Sequence, residues 1–192
     1  MLERFREIWE TEWAPVSRPA GFAWLGFYVL FLIYVLLSSQ PFLFIDFVNL
    51  VIHEGGHLLF SWGGPNLTLY GGTLLQWLVP LLLAVYFYAN RHTTGFAFSL
   101  FFFFENWRYT SFYMADARAQ ELPLVAVGGG GDEENMHDFY RIFSQWGVLG
   151  HDTQIAAVTR TIAWLGMIGV VAWLAWRMFR SESEQSISAG PR

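Results

Sequence analysis

Five apolar runs dominate the 192-residue sequence: Gly21–Leu37, Phe42–Trp62, Gly72–Ala89, Gly95–Ala115 and Ile155–Phe179. Each approaches the roughly 20 residues that a helix needs to cross a hydrocarbon core about 30 Å thick. Turn-forming sequences punctuate them: Ser38-Ser39-Gln40-Pro41, Gly63-Gly64-Pro65-Asn66 and Asn90-Arg91-His92. Only 14% of residues are charged, against roughly a quarter in an ordinary soluble domain, so the chain lacks the polar surface a water-soluble globule of this size requires. The mean hydropathy of +0.34 agrees. Eleven Arg, no Lys and 16 acids give a net charge of −5, which excludes the basic footprint of a nucleic-acid-binding protein. The absence of Cys rules out disulfides, thiolate metal sites and cysteine nucleophiles. The expected fold is an all-α integral membrane protein with about five transmembrane helices.

The segments outside these runs divide the chain further. Residues 1–20 form an N-terminal interfacial segment, with Leu2 to Trp13 expected as a short amphipathic helix on the lipid boundary, ended by Pro15 and Pro19. Residues 21–115 carry four spans, 116–154 a polar loop rich in Gly and acids, 155–179 the fifth span, and 180–192 a disordered tail. Within the loop, Arg141 to Gly150 is expected as a short amphipathic helix. Gly128-Gly129-Gly130-Gly131 lacks the Lys-Ser/Thr of a phosphate-binding loop.

The second span contains His53-Glu54-Gly55-Gly56-His57. Positions i and i+4 share a helix face, so both imidazoles can reach one ion, while the intervening carboxylate can address a water on it. Two neutral His and a third ligand, with a position open for water, are what catalytic zinc uses. The metal brings the water's pKa to about 7, and Glu54 serves as general base. An ionisable residue at the centre of a transmembrane helix costs roughly 2.5–3.5 kcal/mol on the mildest scale, so a Glu flanked by two His inside such a run points to function.

Placed in an apolar span, His53-Glu54-Gly55-Gly56-His57 resembles the site-2 protease family of intramembrane zinc metalloproteases. The resemblance implies a three-helix metalloprotease core from Phe42 to about Arg118, in which the third helix supplies an Asp as the last zinc ligand. The family's Asn-Pro and Leu-Asp-Gly context is absent, and the nearest counterpart is Asp116 in Ala115-Asp116-Ala117-Arg118. Two spans separated by one intervening span run in the same direction, which brings the end of the fourth near the membrane face of His57. His137 is the alternative third ligand, and Asp116 has a competing reading as a helix-end residue paired with Arg118. By analogy with the family's Asn, Asn106 is a candidate for positioning substrate. The family also uses an extended segment between the first two core helices to pair with substrate, a role open to Leu67-Thr68-Leu69-Tyr70.

Glu105, Arg108, Tyr109, Tyr113 and Asp116 recur at three- and four-residue steps and form one polar stripe on a Phe-rich helix. Glu105 and Arg108 are spaced to pair. Asp46, two turns before His53, either orients a His or bonds a neighbouring helix. Asp152 is expected to cap the fifth span. The distribution of Arg leans toward a cytoplasmic active-site side in the cell membrane. The expected function is a zinc metallopeptidase acting on a peptide bond in or near a transmembrane segment of another membrane protein. The competing expectation is a non-catalytic membrane scaffold or chaperone with a structural zinc site.

Overall fold

The computed structural model describes residues 11–38, 42–122 and 137–188, and among these all regular structure is helical. The helices are α1 (Arg18–Leu37), α2 (Asp46–Phe60), α3 (Gly64–Ala89), α4 (Thr93–Ala115), α5 (Asp138–Gln145) and α6 (Asp152–Ser188). Single 3₁₀ turns at Ser61–Gly63 and Leu149–His151 precede α3 and α6. Three stretches are long and apolar enough to cross a membrane: Arg18–Leu37, Asp46–Ala89 and Leu149–Arg180.

The polarity of α2 is inverted relative to a soluble helix. Its buried residues are Asp46, Asn49, His53 and Gly56, one stripe at helical spacing. Its outward face carries Phe47, Val48, Val51, Leu58 and Leu59, each about half or more exposed. In water this arrangement would expose apolar surface and bury polar groups at a cost of several kcal/mol; in a bilayer both faces meet suitable surroundings. At 15 residues, α2 is about 22 Å long.

The chain divides into two compact units. One comprises Met1–Ser38, Pro80–Phe102 and Gly166–Arg192, and aromatic packing dominates it. Tyr28 is 0% exposed and lies on Phe101 with centroids 4.7 Å apart. Trp13 packs edge-on to Tyr88 and Trp173. Residues 12–17 are not helical, and Pro15 explains why the helix begins only at Arg18, with Pro19 in its first turn. The expected interfacial helix otherwise falls on residues 1–10, outside the described residues, as does the Gly128–Gly131 run.

The other unit, Ser39–Val79 and Phe103–Leu165, holds every residue of the candidate site. Here α2 and α3 run antiparallel, as the pairing of His53 with Gln76 and of His57 with Thr68 requires. Glycines bring the two backbones together: a Cβ on Gly56 would collide with the Gly71 carbonyl, and one on Gly71 would lie 2.6 Å from the Gly56 carbonyl oxygen. Across α4, Asn49 meets Glu105 and Asp46 meets Arg108. Leu69, Met114, Phe139, Ile142 and Phe143 form an apolar cluster that seats α5.

Three expectations are corrected. Leu67-Thr68-Leu69-Tyr70 is part of α3, with no strand, because the helix starts at Gly64. The amphipathic helix after the loop is Asp138–Gln145, earlier than expected, since His137 caps it by accepting the N–H of Tyr140. The polar stretch after Phe179 continues α6 as far as Ser188; nothing in Ser181-Glu182-Ser183-Glu184 breaks a helix before Gly190-Pro191.

Candidate metal centre

His53 and His57 lie one turn apart on α2, with ring centroids 4.8 Å apart. Each ring is held through Nδ1 by an oxygen of α3. His53 Nδ1 is 3.0 Å from Gln76 Oε1, and His57 Nδ1 is 2.8 Å from the Thr68 carbonyl. A carbonyl oxygen only accepts, so Nδ1 carries the hydrogen and Nε2 of the neutral ring presents a lone pair. Metal-binding imidazoles are oriented in this way.

The two Nε2 atoms converge on one carboxylate, that of Asp138. Asp138 Oδ2 lies 2.9 Å from His53 Nε2 and 3.2 Å from His57 Nε2. The three ligand atoms all lie within 4.8 Å of one another. Burial pushes the Asp138 carboxyl up, but its contacts with His53 and His57 outweigh burial and hold it at about 2. It is therefore a carboxylate at neutral pH and has no hydrogen to offer. Two nitrogen lone pairs facing an acceptor-only carboxylate need a cation, which a proton on each ring or a metal ion among the three atoms supplies.

The residues present fit a zinc ion. Zinc–ligand distances of about 2.0–2.1 Å in a tetrahedron set ligand atoms about 3.3 Å apart, close to the two observed separations. Room for an ion comes from Gly72, where a Cβ would stand 2.6 Å from both Nε2 atoms. Any other residue at position 72 would push the nitrogens away from their common focus. Glu54 is half-buried, outside the group of three donors, and near enough to interact electrostatically with His57, Tyr109 and Tyr113.

Sequence reasoning paired His53 and His57 with Asp116, or failing that His137. The structure brings those two together with each other instead. Asp116 Oδ2 is 3.4 Å from His137 Nε2, and its carboxylate accepts the N–H groups of Glu121 and Leu122 at 2.9 and 3.1 Å. Burial lowers the pKa of His137, so it is neutral at neutral pH. Arg118 leaves Asp116 for a two-oxygen pairing with Asp152, 2.7 Å at its closest. Asn106 is wholly buried in α4 and lies outside the donor group.

Asp138 went unweighted as a ligand, although a signal for it existed. On α5 the buried residues are Asp138, Phe139, Ile142 and Phe143. An acid at i with Ile at i+4 on the apolar face of an amphipathic helix needs a partner on whatever that face covers.

A second polar cluster lies on the same stripe of α2. Asp46 accepts the N–H of Leu43 at 2.7 Å and Asn49 Nδ2 at 3.0 Å. Asn49 Nδ2 also donates to Glu105 at 2.9 Å. Arg108 stands 3.6 Å from Asp46 and 3.5 Å from Glu105, so Asp46 joins a neighbouring helix rather than a His.

No protein-family model, curated protein or solved structure matches the chain.

Proposed function

We propose that this chain is a membrane-embedded zinc metallopeptidase in which His53, His57 and Asp138 hold the metal and Glu54 is the general base. The observation that carries the reading is the convergence of two Nε2 lone pairs and one carboxylate, with both Nδ1 atoms tied to oxygen acceptors. Bound there, zinc would polarise a scissile carbonyl and bring the pKa of a coordinated water to about 7. Glu54, one residue beyond His53 and facing a less buried side, takes the proton from water and returns it to the leaving amine. His53, His57 and Asp138 act only as ligands, held in place by Gln76, Thr68 and the seat of α5. The substrate is a peptide bond in or near a membrane segment, because the site is built into helices whose outward faces are apolar. In this reading α1, α2, α3, α4 and α6 are the five crossing helices, and the resemblance to site-2 proteases extends over α2 to α4.

The test is metal analysis of the purified protein together with cleavage of a membrane-peptide library. One zinc per chain, and cleavage abolished by Glu54→Gln with zinc retained, is the expected result. Cleavage that survives Glu54→Gln overturns the mechanism. A second reading, a scaffold with a structural zinc, draws on the fact that the same donors join α2 to α5. It predicts bound zinc with no cleavage, and loss of α5 docking when the metal is removed.

A further inference from the structure

The sequence's two candidates for a third ligand, Asp116 and His137, occupy the two ends of the connection between α4 and α5. Asp116 holds the departing chain through the N–H groups of Glu121 and Leu122. His137 holds the returning chain: it is 0% exposed, and its Nδ1 accepts the N–H of Tyr140. That leaves the hydrogen of the neutral ring on Nε2, the atom 3.4 Å from Asp116 Oδ2. The His137 ring lies against Tyr113, centroids 4.0 Å apart, and Tyr113 Oη accepts the N–H of Asp138 at 3.1 Å. The Tyr113 ring also stands 5.9 Å from that of His53.

We infer that Asp116, His137 and Tyr113 are positioning residues that clasp the start of α5 and set the Asp138 carboxylate against His53 and His57. The inference rests on the metal-centre reading for its functional meaning. Its geometry explains why a ligand drawn from a different helix, beyond a long connection, arrives with its oxygen at 2.9 and 3.2 Å from two imidazoles. It also explains why Asp116 cannot serve the ion itself: both of its oxygens already accept backbone N–H groups, and one of them faces His137. Groups that orient a metal ligand contribute about 10–100-fold to metal affinity.

The experiment uses the full chain in detergent, titrated with Zn²⁺ and, for spectroscopy, with Co²⁺. Asp116→Ala and Tyr113→Phe are each expected to bind one equivalent with affinity reduced about 10–100-fold and with shifted cobalt absorption bands. Asp116→Asn, which keeps an oxygen acceptor for the backbone, is expected to recover most of the loss. Unchanged affinity and spectrum in both Asp116→Ala and Tyr113→Phe overturn the clasp. So does complete metal loss in Asp116→Ala alongside full binding by Asp138→Ala, which would make Asp116 a ligand. If the unsubstituted chain takes up no metal, the metal reading fails and a separate measurement decides the clasp. The chain has no Cys, so Tyr70→Cys with Gln145→Cys, at positions whose side chains meet at 3.3 Å, reports α5 docking by a short bis-maleimide cross-link. Cross-linking that drops several-fold on adding Asp116→Ala supports the clasp; undiminished cross-linking overturns it.

Discussion

The two polar clusters along α2 sit on one stripe of one short helix, yet they are built on opposite principles. Around Asp46 and Glu105, acceptors meet donors: the Leu43 N–H, the Asn49 amide and the Arg108 guanidinium. Around His53 and His57, one turn further on, acceptors meet an acceptor, because both Nδ1 hydrogens are already spent on Gln76 and Thr68. The first cluster is closed by the chain's own donors and serves to hold α2 against α4. The second calls for a cation that the side chains do not supply. Burial alone cannot distinguish glue from a site, since Glu105 is 1% exposed and His53 6%. The balance of donors and acceptors can.

The largest effect that separates them is at the ligands. Asp138→Ala or His57→Ala should reduce bound zinc from about one per chain to near zero by elemental analysis, whereas Glu105→Gln should leave it near one. Equal losses from both clusters would erase the distinction. Next is stability: Arg108→Ala leaves two buried carboxylates without their guanidinium and should cost about 3–5 kcal/mol in unfolding experiments, with zinc retained by the folded fraction. Gln76→Ala removes the acceptor that orients His53 and should weaken zinc about 10–100-fold, or about 1.4–2.8 kcal/mol, in competition titrations. The smallest effect concerns pH. The Asp138 pKa is depressed to about 2, so its contribution is complete above the ordinary Asp value of about 3.9 and fades only as pH falls toward 2. Acid should therefore displace zinc through protonation of imidazoles, with retention declining as pH falls through about 6. Retention that stays flat until pH 3 would remove the imidazoles from the site.

The helices could be read because lipid imposes a local rule: long apolar runs must satisfy their own backbone, and α1, α4 and the bulk of α6 lie where the hydropathy places them. The His53–His57 pair was equally legible, since an i, i+4 relation needs nothing beyond the helix. The Glu105–Arg108 pairing was also visible at i, i+3. What escaped was whatever depends on chain return. His137 and Asp138 are adjacent in sequence, and only the direction in which α5 enters decides which of them faces α2. The helical start of α3 at Gly64 was hidden by Gly63-Gly64-Pro65-Asn66, which reads as a turn. Proline in a first helical turn needs no N–H, and the glycines at 71 and 72 serve close packing rather than loop flexibility.

The brevity of α2 has a consequence for the membrane itself. A helix of about 22 Å in a core of about 30 Å is hydrophobically mismatched. The bilayer must thin around it, or headgroups and water must follow it inward. His57 lies three residues from the Phe60 end, about 4.5 Å along the axis. Hydrolysis inside a membrane needs a supply of water at a place that lipid keeps dry, and the shortfall in helix length brings the aqueous boundary to within one turn of the imidazoles. Bilayer thickness thereby becomes a variable of this protein's chemistry, with thicker lipids expected to starve the site of one of its reactants.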